Sequence, residues 1–397
     1  MKNVRNTVPS VLLIIVLVGF PQISESIFTP VLPFISSDMH VSAAASQTTM
    51  SIYFIAFAIG VLFWGQLSDK IGRRSAMNIG IVVYLVGNIG LFLSPTFSFL
   101  LVARFLQAFG ASVGSVVTQT IMRESFSGIK GAQVFSKVGA AMALSPAFGP
   151  LIGGVLEQYL GYRNVFSALI FMAILVLLYS LNRLPETRDA TAIQRVSLLK
   201  VFWMLVKDPV IWSYAILIGG INGILFGYYS EAPFIFMEHF GFTSVQYGSL
   251  GMTLALASLL GAILVNFLVK YFQSEMIAIG GLIFSSISGL VLLLLLPFDQ
   301  AYLMVIGFFL IFLGLNTTLP IALNLALKGY EDVIGSASGI FSFGYYLIVS
   351  LLTYSVSWLH NGSIKTLPWF ILIITLIMLL VYLPVKLSTK TLAKNNL

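Results

Sequence analysis

The stretch Gly65-Gln-Leu-Ser-Asp69-Lys70-Ile-Gly72-Arg73-Arg74 concentrates charge in a chain that otherwise avoids it. Apolar runs flank this stretch on both sides, over residues 52–64 and 79–93. Ten residues between two such runs are too few to fold on their own, and charged side chains avoid the membrane interior. The pattern therefore predicts a tight loop that joins two membrane-spanning helices.

The composition supports a membrane protein. Of the 397 residues, 58% are hydrophobic and only 9% are charged, whereas a soluble domain carries roughly a quarter charged residues. The length suits about twelve helices of ~20 residues with short loops. The chain has no Cys, which excludes disulfides, thiolate metal sites and a Cys nucleophile. Its three His fall in separate predicted loops, so we expect no metal site.

Hydropathy predicts twelve spans, and each must be a helix because backbone polar groups in lipid need partners within their own segment. The first span follows Lys2 and Arg5, and it runs on without a small-residue cleavage site. We interpret it as an uncleaved first helix rather than a signal peptide. The predicted spans are 8–35, 46–67, 75–93, 97–122, 133–156, 162–182, 209–237, 246–272, 275–297, 301–327, 333–359 and 367–387.

The basic residues are distributed asymmetrically over the loops. With the N-terminus in the cytoplasm, 18 of the 21 Lys and Arg residues fall on the inner side. Only Arg163 and Lys365 fall outside, and Arg104 lies within a span. The positive-inside rule then predicts that both termini are cytoplasmic. This bias also accounts for the net charge of +7 without a nucleic-acid partner.

The longest polar stretch, 183–208, divides the chain into two sets of six spans. We predict an N-terminal half over 1–182, a cytoplasmic linker over 183–208 and a C-terminal half over 209–397. Pro33-Phe34-Ile35 in the first span recurs as Pro233-Phe234-Ile235 in the seventh, near the end of the first span of each half. Such a repeat is typical of two parallel halves related by an axis along the membrane normal.

Several motifs resemble those of the major facilitator superfamily of transporters. The opening stretch has the G-x-x-x-D-x-x-G-R-[RK] spacing of that family's loop between helices 2 and 3. Arg104-Phe-Leu-Gln-Ala-Phe-Gly110 resembles its R-x-x-Q-G motif, with Ala108 where Gly is usual. Gly149-Pro-Leu-Ile-Gly-Gly154 resembles the G-P-x-x-G-G motif of proton-coupled exporters, although Ser145 stands where the longer motif has Gly.

Other matches are similar to one branch of the superfamily, the bicyclomycin-resistance (Bcr/CflA-type) multidrug exporters. They are Pro30-Val-Leu-Pro33, Met122-Arg-Glu124, the G-W-R-x-x-F-like Gly161–Phe166 and the span-6 ending Leu184-Pro-Glu-Thr187. The resemblance implies an all-α fold of twelve transmembrane helices in two six-helix halves. It also implies drug/proton antiport in a bacterial inner membrane by a monomer, with the proton gradient as energy source and no cofactor. The expected partners are a small-molecule substrate, protons and the lipid bilayer.

Glu25 is the main candidate for proton coupling. It lies inside the first span, where a charged carboxylate is costly and a proton on it is favoured. The alternative is a structural glutamate that is permanently protonated or paired with Arg104. The Bcr/CflA-type branch usually has its acidic residue at the position of Ser26, so Glu25 points ~100° away around the helix.

Arg104 is expected to hydrogen-bond the first span and to hold or sense the protonation state of Glu25. Gln107, Ser115 and Gln119 recur at helical spacing on its face, and a polar stripe in a membrane helix faces protein or water. The alternative is a purely structural clamp between spans 1 and 4. Glu231 is a second candidate proton or cation site, with a hydrated interfacial glutamate as its alternative.

The opening loop is predicted to act as a cytoplasmic gate, formed by Gly65, Asp69, Gly72, Arg73 and Arg74, besides setting the topology. The alternative role of these residues is topology alone. Gly149, Pro150, Gly153 and Gly154 are predicted to form a hinge or a seal against proton leak. Their alternative role is helix packing.

Aromatic side chains on the spans that line the cavity in this family would accept lipophilic cations and neutral drugs. The alternative for each aromatic residue is ordinary core packing. Besides drug/proton antiport, we keep open a transporter of the same fold with one physiological substrate, such as a siderophore or metabolite exporter or a nutrient importer. The predicted cavity residues are Gln107, Ser115, Gln119, Tyr53, Phe57, Tyr228, Phe234 and Tyr345.

Overall fold

In a computed structural model, the structure describes residues 8–126, 128–188, 197–330 and 333–395. Within these ranges all regular secondary structure is helical, which confirms the all-α prediction. The helices are α1 (Val11–Ser26), α2 (Leu32–Asp38), α3 (Ala43–Ile71), α4 (Arg73–Leu93), α5 (Phe97–Ser125), α6 (Gly128–Ala143), α7 (Ser145–Leu160), α8 (Tyr162–Arg183), α9 (Leu198–Val206), α10 (Pro209–Pro233), α11 (Ser244–Ser249), α12 (Gly251–Leu268), α13 (Ser274–Leu295), α14 (Ala301–Leu325), α15 (Ile334–Leu359) and α16 (Thr366–Asn395).

Eleven helical segments in the described ranges are long and apolar enough to cross a membrane. The predicted span 133–156 falls instead on two consecutive helices, α6 and α7, of 16 residues each. Leu144 separates them, and α7 carries a proline in its first turn. Proline lacks the backbone N–H that a continuous helix would need, so the interruption has a local cause.

The first and seventh spans are also irregular, each near its end. Between α1 and α2 the chain forms a single 3₁₀ turn over Thr29–Val31 that contains Pro30. After Pro233, at the end of α10, the backbone widens into a π-helical segment over Phe234–His239. In the first span Pro30 lies within the irregular turn, and in the seventh Pro233 directly precedes the irregular segment. A proline therefore accompanies the change of helical geometry in each span.

The helices pack as two groups. In the first group α5 packs against α3 and α4, and α4 packs against α8. In the second, α13 packs against α14 and α16, and α10 packs against α15. The boundaries of the predicted halves stay a prediction, and part of the predicted linker, residues 189–196, lies outside the described residues.

We call one end of the bundle the basic end, because it carries the loop 70–74 and the chain around 183–188. The other end, which carries residues 38–43, 160–162 and 360–366, is called the opposite end. The two groups meet along α3 and α15, and along α7 with α11 and α12.

The contacts between the groups are concentrated at the opposite end and in its half of the bundle. The Ser350 hydroxyl donates to the Ser51 carbonyl at 2.8 Å. The Val245 N–H donates to Oε1 of Gln158 at 3.1 Å, and the Ser244 hydroxyl donates to the carboxylate of Glu157. The chain is thus described in a conformation closed at the opposite end.

Candidate functional site in the bundle interior

Glu25 lies near the end of α1 and is only 5% exposed. Its side chain lines a cavity of about 70 Å³ between α1, α10 and α15. A water molecule occupies roughly 30 Å³ of liquid, whereas a drug-sized ligand needs a pocket of roughly 300–1,000 Å³. In this conformation the cavity therefore suits water and protons, and a larger ligand requires it to widen. The cavity is lined by Gln22, Glu25, Ser26, Asn222, Leu225, Phe226, Tyr229 and Tyr346.

Arg104 on α5 is fully buried and is held between two aromatic rings. Its guanidinium carbon lies 3.9 Å from the ring centroid of Phe28 and 4.3 Å from that of Tyr53. Nη1 donates to Oε1 of Gln107 at 2.5 Å, and Nη2 approaches the sulfur of Met50 at 3.9 Å. The prediction that Arg104 hydrogen-bonds the first span is wrong within the described chain. Arg104 contacts that span through the ring of Phe28 instead.

This arrangement leaves Glu25 without a fixed ionic partner. Arg104 acts on Glu25 through its charge, and no hydrogen bond joins their side chains in the part of the chain that the structure describes. A carboxylate buried without a paired partner costs several kcal/mol, which favours a carboxyl group that carries its proton. The alternative of a Glu25–Arg104 salt bridge is therefore not what the structure contains.

The predicted polar stripe on α5 divides into two parts. Gln107 is fully buried, and its amide donates to Oδ1 of Asn88 on α4 at 2.5 Å, so it lies inside the first group and not on the cavity. Ser115 is half-buried and Gln119 is exposed. One turn further on, Arg123 reaches the hydroxyl of Ser338 on α15 at 3.5 Å, a long contact between the groups near the basic end.

The aromatic residues near Glu25 form one cluster across the two groups. Tyr53 stacks on Phe57 with ring centroids 5.8 Å apart, and Phe57 meets Tyr346 at 4.8 Å. Phe54 packs on Phe226 of α10 at 4.3 Å. These rings offer apolar faces beside the carboxyl group, the arrangement that binds lipophilic cations in other proteins.

The other predicted cavity aromatics lie in different places. Tyr345 is next to Tyr346, with centroids 4.5 Å apart, and belongs to the same cluster. Tyr228 packs against Phe308 of α14, with ring centroids 5.0 Å apart, inside the second group. The alternative of ordinary core packing therefore applies to Tyr228. Phe234 packs on the ring of His360 at 5.3 Å, near the opposite end.

Glu231 is not the hydrated interfacial glutamate that was the alternative from sequence, because it is only 1% exposed. The amide of Gln47 on α3 donates to its Oε2 at 2.7 Å, across the two groups. His360, directly after α15, lies 2.9 Å from the same oxygen. Glu231 is thus a contact between the groups at the opposite end, and it borders a cavity of about 250 Å³.

The contact of His360 with Glu231 should make closure pH-dependent. The hydrogen bond to Glu231 raises the pKa of His360, and the Glu238 carboxylate adds to this rise. The stabilisation is complete below the ordinary His pKa of roughly 6.5 and is lost as the pH rises through the raised value. We therefore expect closure at the opposite end to weaken with increasing pH.

Labelling of a single introduced cysteine, Ser51→Cys, by a membrane-impermeant maleimide would measure this closure. The same cysteine with His360→Gln is the control, since it corrects for the intrinsic pH dependence of the thiol. The labelling rate should rise more steeply with pH in the parent than in the control. Parallel curves would contradict the assignment.

At the basic end Arg73 gathers three partners. Its Nη1 contacts the carboxylate of Asp69 at 2.5 Å and the hydroxyl of Ser68 at 2.7 Å, and its Nη2 contacts Glu124 of α5 at 2.8 Å. A side-chain carbon added at Gly65 on α3 would make only ordinary van der Waals contact with Val116 of α5. The predicted gate residues therefore connect the ends of α3, α4 and α5, all within the first group. Their gating role stays a prediction.

Glu186, in the chain after α8, caps the start of α4. Its two carboxylate oxygens accept from the backbone N–H groups of Arg73 at 2.8 Å and of Arg74 at 3.2 Å. Gly72, directly before them, has φ +96°, and a side-chain carbon at this position would overlap the carboxylate. A carboxylate at a helix N-terminus satisfies free N–H groups and interacts favourably with the helix dipole.

Glu186→Gln removes the negative charge from this cap and keeps the shape of the side chain. We expect a loss of about 1 kcal/mol, the usual scale for a cap and its dipole interaction. The apparent unfolding temperature in detergent should fall accordingly. Glu275→Gln, in the first turn of α13, is the matched control and should change it less. Equal shifts for both variants would count against the cap.

The predicted hinge residues have distinct contacts. A side-chain carbon at Gly149 would overlap the Ser26 hydroxyl, and one at Gly153 would overlap the Ile27 carbonyl, so both allow α7 to pack on the first span. Pro150 lies inside α7. At Gly154 the added carbon would overlap the backbone carbonyl of Ser244, which belongs to the second group. Gly154 therefore permits a close contact between the groups.

Sequence reasoning did not select several residues that the structure places at these sites. Gln47, His360 and Asn222 are isolated polar residues, and nothing in their spacing connects them with Glu231 or Glu25. Glu186 lay within a recognised motif, but that motif gives no sign of its partner. The expected absence of a metal site and a cofactor stays a prediction.

The described helices form a bundle of apolar segments in two groups, with buried carboxyl groups in its interior, which defines a multi-pass membrane protein. A model of the Major Facilitator Superfamily matches residues 14–353. The chain belongs to this superfamily, which confirms the resemblance in its motifs.

Individual proteins support the same assignment. A Rickettsia bellii (strain RML369-C) protein named as an uncharacterized transporter is 32% identical over 365 residues, 89% of this chain and 90% of its own. The chloramphenicol resistance protein of Pseudomonas aeruginosa is 29% identical over 86% of this chain and 82% of its own. The crystal structure of a D-xylose–proton symporter, 13% identical, superposes with a TM-score of 0.71 over 93% of this chain and 96% of that one, which shows the shared fold.

Proposed function

We propose that this chain is a drug/proton antiporter that exports small lipophilic or cationic compounds across a bacterial inner membrane. The observation that carries the proposal is the Glu25 carboxyl group, which is 5% exposed and faces the small cavity between the two groups of helices. A buried acid without a fixed partner can take up and release a proton as the conformation changes. The similarity to the chloramphenicol resistance protein adds support for an exported substrate.

The proposed cycle uses alternating access. When the bundle opens at the opposite end, Glu25 becomes hydrated, takes up a proton and releases the substrate. The two groups then rock into the conformation described here, from which the proton leaves toward the basic end, and substrate binds once the small cavity has widened. Each unit of charge that moves through ~100 mV supplies about 2.3 kcal/mol.

Arg104 has a specific part in this cycle. A direct salt bridge would hold Glu25 in its ionised form, because separating a buried pair costs several kcal/mol. The rings of Phe28 and Tyr53 retain the guanidinium at a fixed place instead. Its charge can then stabilise the carboxylate whenever the proton leaves, without preventing the proton from returning.

The orientation follows from the charge distribution, with the basic end and both termini in the cytoplasm. The substrate cavity would form between the groups around the aromatic cluster when the small cavity widens. Aromatic faces beside a carboxyl group accept many lipophilic cations. Glu231 would act as a second protonation site, coupled to closure at the opposite end through Gln47 and His360. We propose a monomer that needs no cofactor and that uses the proton gradient as its energy source.

Inverted membrane vesicles with an acidic interior test this proposal. Addition of several chemically unrelated lipophilic cations should dissipate the pH gradient in vesicles that contain the protein and not in empty ones. A response to a single metabolite would contradict the multidrug assignment and favour the alternative, a transporter with one physiological substrate. No proton movement with any transported compound would overturn proton coupling altogether.

A further inference from the structure

The linker between the two groups contains a short helix, α9 (Leu198–Val206), that leaves large apolar side chains uncovered. Val201 and Leu205 are buried, and α9 packs against α10 and α15. In contrast, Leu199 is 66% exposed and Trp203 is 52% exposed. These two residues are four positions apart and therefore lie on one face of the helix. It is unfavourable to leave about half of such a large apolar side chain exposed to water.

The helix has three faces rather than two. Phe202, which is also exposed, lies beside Leu199 on the uncovered apolar face. Lys200 follows Leu199 by roughly 100° around the helix and lies on a third side, between Trp203 and the exposed Met204. A soluble linker helix would need only a buried face and a polar face. Three faces suit a helix with protein on one side, lipid on another and water on the third.

The position of α9 relative to the bilayer is fixed by its attachment to α10, a membrane-spanning helix. Only Lys207 and Asp208 separate the two helices, and Asp208 caps α10 by accepting from the Val210 N–H. The indole N–H of Trp212, in the first turn of α10, donates to the carbonyl of Val206 at 2.8 Å. The end of α9 therefore lies at the depth where α10 enters the membrane.

We propose that α9 lies in the interfacial layer of the bilayer, with Leu199, Phe202 and Trp203 among the upper acyl chains. Lys200 and Lys207 reach the headgroups and favour anionic lipids. Trp is enriched at this depth, and amphipathic helices with apolar and basic faces bind there. Each lysine near an anionic surface adds to the attraction. Because α9 packs on α15, the lipid surface acts directly on a helix that forms the contact between the two groups.

The absence of Cys from the chain allows a direct test with single cysteines in the full-length protein. Leu199→Cys and Trp203→Cys carry an environment-sensitive fluorophore, and Lys200→Cys on the same helix is the matched control. Each variant is placed in nanodiscs of phosphatidylcholine, with or without phosphatidylglycerol. Quenching is compared for a nitroxide near the head of the acyl chain and for a water-soluble nitroxide.

We expect blue-shifted emission and severalfold stronger quenching by the lipid nitroxide at positions 199 and 203 than at position 200. Comparable quenching by the aqueous nitroxide at all three positions would overturn the proposal. Protection from both quenchers at 199 and 203 would also overturn it, because a protein would then cover the apolar face. Phosphatidylglycerol should increase quenching of a label at position 199 by the lipid nitroxide. The double variant Lys200→Gln with Lys207→Gln should remove this increase in quenching. An unchanged increase in quenching would overturn the preference for anionic lipid.

Discussion

Glu25→Gln is expected to abolish substrate-evoked proton movement while the protein still folds. Gln has nearly the same shape as a protonated Glu, and the small cavity around position 25 already suits a neutral side chain. The variant cannot lose a proton, so binding of substrate and release of a proton are no longer linked. We expect at least a roughly tenfold loss, since a coupling free energy of about 1.4 kcal/mol already corresponds to that factor.

The measurement is dissipation of the pH gradient in inverted vesicles, with unfolding temperature as a second readout. Glu275→Gln removes a carboxylate from the first turn of α13 and should leave proton movement unchanged. Glu25→Asp keeps the titratable group and should retain part of the activity. Normal coupling in Glu25→Gln would reject the assignment and direct attention to Glu231.

Gly154→Ala should shift the protein away from the conformation closed at the opposite end. The added carbon would overlap the Ser244 carbonyl, and a backbone atom cannot move away as a flexible side chain can. Overpacking of this kind costs typically 1–3 kcal/mol. The separated conformation lacks the contact with Ser244, so the whole penalty falls on closure. We expect roughly a 5- to 150-fold increase in the ratio of open to closed protein.

The labelling rate of Ser51→Cys measures this shift, because Ser51 is buried between the groups when they are closed. Gly139→Ala is the matched control, since an added carbon at position 139 meets no atom within 4 Å. Both substitutions gain helix propensity of about 1 kcal/mol, so this gain cancels in the comparison. Equal labelling rates for the two variants would reject a role for Gly154 in closure.

The sequence predicts the architecture well because membrane insertion constrains it strongly. Continuous apolar runs, the distribution of Lys and Arg and the glycine-rich motifs all depend on local spacing. The prediction of one continuous fifth span is less accurate, since a proline in the first turn of α7 gives two helices. Hydropathy averages over a window and does not register the loss of one backbone donor.

The partners within the site were harder to predict. Arg104 was expected to hydrogen-bond the first span, but it contacts the Phe28 ring instead. Glu231 had a hydrated interfacial residue as its alternative, yet it is buried and bonded to Gln47, more than 180 residues away in the chain. Such pairings follow from how whole helices pack, and residue spacing within one helix carries no information about them.

The cap that Glu186 forms on α4 also fixes one end of a tether. Ten residues separate Glu186 from Ser197, where the described chain resumes before α9, and the eleven Cα–Cα steps between them can reach at most about 40 Å. Any rocking motion must keep the two anchor points within that distance. Shortening the tether by a few residues lowers this limit and should therefore restrict the amplitude of the motion, whereas lengthening it only raises the limit.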